Sequence, residues 1–345
     1  MINFRFHLVS LTGVFLALAV GIILGASVVN SGAVDGLRGQ LGSVKEDVRR
    51  VDQQNESLRR DLGGWGEFSK KAAPGILAER LQSVPVLVLA VRGMDAEPVK
   101  DLRDDLLAAD ARLQGTVWLE SKLQLDAPGG VRALSVSFGL GTQDAQVVRE
   151  ALYSQLATEL ANPPAAGQLT PTTLVAGVDG APTTLPGVTT TVARGAPKGG
   201  VLAALSTLGF VSIDVPEGRS FEADQALPTG TRFVVASGEG VNVADPVGAI
   251  ALVKALAEAS GTSSRVVAVE PGSPAQGREP EVRARFIAPL RSEGKDLDSR
   301  VSTVNNLEDF RGRVAVVLAL VDLGVGRVGH YGTGTGADRL VPEAG

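Results

Sequence analysis

The sequence predicts an α/β protein in which an N-terminal transmembrane helix and a coiled coil precede a Rossmann-like open parallel-sheet domain. Three observations predict it. An uncharged apolar stretch opens the chain, a heptad pattern follows, and from residue 84 short continuous apolar runs alternate with segments of helical spacing. With 345 residues there is room for a full hydrophobic core. The content of 44% hydrophobic and 21% charged residues matches ordinary soluble domains, so neither disorder nor a polytopic membrane protein fits the bulk of the chain.

From Leu8 to Val29 no residue carries a formal charge, and Val14, Phe15, Leu16, Leu18, Val20, Ile22, Ile23 and Leu24 make the stretch strongly apolar. As a helix it is about 33 Å long, enough for the hydrocarbon core of a bilayer. Arg5 precedes it and the next positive charge is Arg38, so the positive-inside rule puts Met1 in the cytoplasm and the bulk of the chain outside. A secretory signal has a shorter apolar region of about 7–15 residues, and Gly25-Ala26-Ser27 matches a cleavage site loosely. Residues 1–30 therefore read as an uncleaved anchor; a cleaved signal and a buried core helix are the rival readings, and the first of these also exports the domain. Gly13, Ala17, Gly21 and Gly25 fall four apart, a small-residue stripe that lets two helix backbones approach closely in lipid.

Residues 31–66 read as a coiled coil. Val34, Leu41, Val48, Asn55 and Leu62 occupy the a positions and Leu37, Val44, Val51 and Leu58 the d positions of about four heptads, with Trp65 next. Glu46, Arg49, Arg50, Gln53, Glu56 and Arg60 make the outer positions polar, which favours a thin seam between two helices over a broad face buried on the chain's own domain. A single Asn at an a position favours a parallel, in-register dimer. The seam points to a homodimer or higher oligomer, with another envelope protein's helix as the alternative occupant. The flanks are mixed, because Asp47 at g would face Asp52 at e of a parallel copy.

Gly63-Gly64 and Pro74-Gly75 are expected to break the helix, leaving residues 67–83 as a linker. The exported α/β domain spans 84–330. Pro85–Val91 has the length and composition of a buried strand, Val99–Leu113 has helical spacing, and Gly115–Leu119 reads as a second strand, which implies a parallel crossover covered on both faces. The alternation recurs with helices at Gln143–Ala161, Val201–Leu208 and Val243–Ala259 and strands at Phe210–Val215, Arg232–Ala236 and Arg265–Val269. The Pro/Gly/Thr/Ala-rich stretch at about 162–200 reads as an irregular insertion. Arg313–Leu323 exceeds ordinary strand length and reads as a helix packed on the sheet, ahead of a Gly-rich tail at 331–345.

Chemistry-bearing motifs are sparse. A net charge of −5 without a long basic run argues against nucleic acid. With no cysteine, thiolate metal sites, disulfides and cysteine nucleophiles are excluded. Ser237-Gly238-Glu239-Gly240 lies where a dinucleotide loop would sit but lacks the G-x-G-x-x-G spacing, and no nucleophile elbow, P-loop or H-E-x-x-H occurs. No catalytic residue, cofactor or metal ligand is assigned. The two histidines, His7 and His330, fall on opposite sides of the membrane. Asp101, Asp104 and Asp105 read as a solvated helix face, and Glu308, Asp309 and Asp322 are uncommitted.

The segment Phe6–Leu11 leading into Val14–Gly25, the heptads, Val301-Ser302-Thr303-Val304 and the ending Gly329-His330-Tyr331-Gly332-Thr333-Gly334 together resemble the MctB-type copper transporter family of mycobacteria and their relatives. The resemblance covers the whole architecture. It implies copper efflux or copper homeostasis in the cell envelope, with channel formation in the mycolate outer membrane. Copper as a partner is implied by the resemblance alone, since the chain offers no Cys and its methionines are Met1 and Met94.

Overall fold

The computed structural model describes residues 4–162, 200–218, 220–238, 247–272, 286–334 and 336–343. The chain divides into two compact units, Met1–Phe68 and Ser69–Gly345. The expected insertion at 162–200 falls almost wholly outside the described residues, as does the first part of the helix expected from Val243.

The first unit is helical throughout its described residues and belongs to α1 (Phe4–Leu77). Within it, Arg5–Gly25 has a mean hydropathy of 2.5 and is long and apolar enough to cross a membrane. The helix does not break at Gly63-Gly64, nor at Pro74, and α1 runs on to Leu77. A helix-interior glycine weakens the helix by about 1 kcal/mol, which a long helix with good formers on either side tolerates. Pro74 has no N–H to offer the carbonyl four residues back, but with α1 ending at Leu77 only the final residues lie beyond that missing bond.

In the second unit, Ala73 and Leu77 at the end of α1 are buried, and a turn follows with Glu79 and Ser83 at φ of 62° and 61°. Asp110 holds that turn. Its carboxylate accepts from the Glu79 amide at 2.9 Å and its carbonyl from the Ser83 amide at 3.2 Å. Leu81, wholly buried, donates its amide to the Ala109 carbonyl at 2.9 Å.

The unit's core is a seven-stranded sheet in the order β3-β2-β1-β4-β5-β6-β7. Its strands are β1 (Pro85–Val91), β2 (Arg112–Leu119), β3 (Val211–Asp214), β4 (Arg232–Ala236), β5 (Val266–Val269), β6 (Val301–Val304) and β7 (His330–Tyr331). Every pairing is parallel except that of β3 with β2. The chain thus starts in the middle, builds outward to β3, and returns past β1 to build the other half, which places a topological switch between β1 and β4. The expected open α/β fold is present, with one antiparallel edge strand.

Helices cover both faces. On one side lie α3 (Pro128–Ser137), α4 (Ala145–Ala161), α5 (Gly200–Thr207), α6 (Ala249–Ala259) and α7 (Ile287–Ser292), packed on Leu87, Leu89, Val91, Phe233, Val235 and Ala268. On the other lie the end of α1, α2 (Glu97–Ala108) and α9 (Phe310–Leu323), packed on Val86, Val88, Ala90, Val234, Ala236 and Val267. Successive residues of one strand enter opposite cores, which is why these strands read as unbroken apolar runs. The short α8 (Lys295–Asp298) leads into β6.

Local signals explain the helix ends. Asp144 caps α4 by accepting from the amides of Gln146 and Val147, and Asp309 caps α9 through the Arg311 amide. The helix expected to reach Leu113 stops at Ala108, because Asp110 takes φ of 60° and turns the chain, so that Leu113 lies in β2. The expected solvated face of α2 is also corrected. Asp105 is buried and its Oδ2 lies 2.6 Å from the Arg313 Nε of α9, with Asp101 3.4 Å from the Arg313 Nη1. Burial pushes the Asp105 carboxyl up, and the hydrogen bond and charge of Arg313 pull against that shift without cancelling it.

Candidate functional site

Two surfaces gather the residues that the sequence singles out. The first lies on the helix of the N-terminal unit. A Cβ at Gly13, Gly21 or Gly25 would meet nothing within 4 Å, and Ala17 is exposed, so the small-residue stripe is uncovered among the described residues. Among the a and d positions, the side chains of Val34 and Leu37 fall outside the described residues. Leu41, Val44, Val48, Val51, Leu58 and Leu62 all face solvent, and even the least exposed of them, Val51, is 50% exposed. Asn55 is exposed as well. Asp47 is bound along the same helix by the Arg50 guanidinium at 2.7 Å. Trp65 and Phe68 stack with ring centroids 5.4 Å apart.

The second surface is the β6–β7 edge of the sheet. The two segments quoted from the end of the sequence become neighbouring strands, with Thr303 opposite His330 and Val304 opposite Tyr331. The tail expected to begin at 331 is therefore anchored in the sheet at its first residue. His330 is buried between them. Its Nδ1 lies 2.9 Å from the Thr303 hydroxyl and its Nε2 3.4 Å from Asp298 Oδ1, while Asp298 receives the Arg291 Nε at 2.9 Å. Arg291 in turn donates to the Gly336 carbonyl, and the Asp338 amide donates to the His330 carbonyl at 2.9 Å. Burial and then the Arg291 charge lower the imidazole's proton affinity, outweighing Asp298 and Asp338, so His330 is neutral near pH 7.

This arrangement makes stability depend on pH. An unfolded imidazole takes its proton near pH 6.5, and the folded one does so at lower pH, so between those values the unfolded state binds more protons. The contribution of neutral His330 is complete above about pH 6.5 and declines as the pH falls toward the folded value. Relative to the His330→Asn variant, the wild-type chain is expected to lose stability from pH 7 to pH 5 in denaturant melts. Parallel curves for the two chains would remove this role.

At the carboxyl end of the same strands, Asn305 Oδ1 accepts from the amides of Thr333 and Gly334, both at 3.0 Å, and so folds the Gly-rich turn back over the sheet. Gly332 has φ of 127°, and a Cβ there would collide with Asn305 Oδ1. That glycine is required by both its conformation and its neighbour. Asn306 is 1% exposed, and its carboxamide nitrogen and oxygen find no hydrogen-bond partner among the described residues; the same holds for the buried Ser237 hydroxyl after β4.

Arg291 and Asp298 were not legible as members of this site, because no local motif links them to His330 across the intervening chain. A wide-mouthed concavity of about 510 Å³ lies beside them, lined by Arg291, Lys295, Asp298, His330 and Asp338 among others. Its charges are of both signs, and Arg291 and Asp298 pair with each other at 2.9 Å. Across the sheet, Arg92 and Ser212 both bond Glu120, at 3.1 and 2.6 Å, and the Arg92 guanidinium lies 4.4 Å from the centre of the Trp118 ring. Burial opposes ionisation of Glu120, but those two bonds prevail and hold its carboxyl below the usual range. This network is also closed on itself. Among the described residues no three of His, Cys, Asp and Glu gather in a way that could hold a metal ion.

The apolar helix, the heptads and the β6–β7 edge are the features that carried the resemblance, and a comparison with known families reaches all of them. Residues 1–342 match the family described as "Copper transport outer membrane protein, MctB". The chain belongs to this family. Proteins named "Copper transporter MctB" from Mycobacterium bovis and from Mycobacterium tuberculosis H37Rv are each 29% identical to it over 98% of both chains. The protein of that name from Mycobacterium leprae is 26% identical over 99% of this chain and 100% of its own. The sheet of this MctB family member is open, ending at β3 and β7, and β1 and β4 to β6 are buried on both faces. A transmembrane barrel strand instead alternates lipid-facing apolar with lumen-facing polar side chains.

Proposed function

We propose that this protein serves copper efflux or copper homeostasis as a single-pass, envelope-anchored component that is not an enzyme. Its N-terminus is cytoplasmic and its α/β domain lies outside the cytoplasm. The observation that carries the reading is the family match over residues 1–342, supported by named copper transporters that share its full length. The positive charge at Arg5 ahead of the apolar segment supports the orientation.

The residues support a role through assembly. Copper(I) favours thiolate and thioether ligands, yet the chain has no cysteine and Met94 is buried. Both ring nitrogens of His330 are already engaged. One apolar helix encloses no pore, so an ion path through the membrane would need helices from several copies. In this reading the α/β domain shapes and positions the assembly, and copper passes without a high-affinity site inside the domain.

The uncovered heptad face favours a second reading, in which the chain is a dimeric scaffold presenting its α/β domain to cell-wall or division proteins. Deletion of the gene, with cellular copper and copper tolerance as readouts, separates the two. Raised copper and lowered tolerance, both restored by the full chain, are expected. Unchanged copper accompanied by aberrant septa would sink the transport reading and leave the scaffold.

A further inference from the structure

We infer that the occupant of the heptad face is a second copy of this chain, lying parallel and in register, with Asn55 of each copy against Asn55 of the other. This deepens the reading above and rests on its membrane anchoring, but not on copper.

Leu41, Val44, Val48, Val51, Leu58 and Leu62 form a repeating 3-4 stripe at least half exposed to solvent, and neighbouring outer positions are charged. That is the geometry of a two-helix seam, too narrow for burial against a sheet or a bundle. Asn55 decides the kind of partner. Against an uninterrupted apolar seam its carboxamide would be stripped of water and left unpaired, whereas an identical copy in register supplies a complementary carboxamide at the same level. A partner carrying a polar residue at that one heptad position is, most simply, the chain itself.

Orientation follows from the anchor. Two copies that enter one membrane through Arg5–Gly25 leave it in the same direction, so their helices meet parallel and confined to a plane. Small residues uncovered at Gly13, Gly21 and Gly25 are compatible with such close company.

The flanking charges then permit the pairing. In a parallel dimer, g residues face e residues of the next heptad on the other copy, which sets Gln40 against Lys45 and Gln54 against Arg59. The one repulsive pair is Asp47 with Asp52. Arg50, one turn along on the same helix, binds the Asp47 carboxylate at 2.7 Å and so draws its charge away from the seam.

The chain lacks cysteine, which allows a direct test on the full-length protein in its native membrane. Single-cysteine variants Val51→Cys and Leu58→Cys place a thiol at d positions, and Gln53→Cys places one on the outer face. With a mild diamide oxidant, the d variants are expected to form a two-chain disulfide product at least about tenfold above the outer-face control, since only a seam brings like residues within disulfide reach. Cells expressing Val51→Cys together with Leu58→Cys should yield the two like-to-like products and no mixed one. Equal yields from d and outer positions, a mixed product from a staggered pair, or a linked product containing a different protein would each overturn the inference. Copper tolerance measured in the same cells keeps the two ideas apart: normal tolerance without seam linking removes the dimer and leaves copper efflux standing.

Discussion

Replacing Arg313 by alanine is expected to destabilise the α/β unit by about 3–5 kcal/mol, the usual loss when one member of a buried ion pair is removed. Arg313 joins α9 to α2. It contacts Asp105 at 2.6 Å and Asp101 at 3.4 Å, donates to the Glu308 carbonyl at 3.0 Å, and lies 5.8 Å from the centre of the Phe310 ring. Without it, Asp105 is a buried carboxylate with two acidic neighbours and no cation. The neutral Asp105→Asn change should cost clearly less, because burial already disfavours the charged carboxyl and Asp101 still faces the guanidinium. Chemical unfolding of the detergent-solubilised chain, followed by circular dichroism, gives the comparison. Equal losses for the two variants would mean that the pair is held by shape and not by charge.

Gly312→Ala is expected to be of similar size, at about 3 kcal/mol or more, although it adds a single carbon. A Cβ at Gly312, in the first turn of α9, falls on the Asn306 main-chain carbonyl, and a backbone atom cannot swing aside as a flexible side chain can. The helix would have to lift from the end of β6, opening contacts between α9 and the sheet; overpacking of this kind commonly costs about 1–3 kcal/mol and more where the backbone must move. By contrast, Gly218→Ala is resisted by its φ of 75° alone, with open space around the added carbon, and should lose roughly 1 kcal/mol. If Gly312→Ala melts like wild type, the close contact between α9 and Asn306 is wrong.

Much of this fold can be read directly from the residues. Val86–Val91 is apolar at every position because its two faces enter two different cores, and Arg313–Leu323 exceeds ordinary strand length, which favours a helix packed on the sheet over a final strand. Other features depend on contacts distant in sequence. Asp105 looks like one acid in a solvated row until α9 brings Arg313 to it from the far end of the chain. Gly63-Gly64 looks like a stop, yet α1 continues because local propensity is a weak preference in a long helix. At the candidate site, the family resemblance singled out Gly329, His330, Tyr331, Gly332 and Gly334, and the glycines suggested a chain lying close to another backbone or a ligand. In the structure the reason for them is packing and hydrogen bonding: His330 bridges Thr303 and Asp298, and Gly332 and Gly334 let the turn reach Asn305. The helix face is the opposite case, since its heptads are plain in the sequence and their described apolar residues face solvent in the structure.

In the proposed function, activity resides in the assembly organised by this helix, not in a copper site within the α/β domain. Val48→Lys combined with Val51→Lys disrupts the seam while leaving the sheet domain untouched, since both residues are exposed in the N-terminal unit. Cellular copper, measured by mass spectrometry in a deletion strain that carries this double variant at wild-type abundance in the membrane, is the direct test. The account predicts copper as high as in the deletion strain. Copper restored to the wild-type level by the double variant would contradict it.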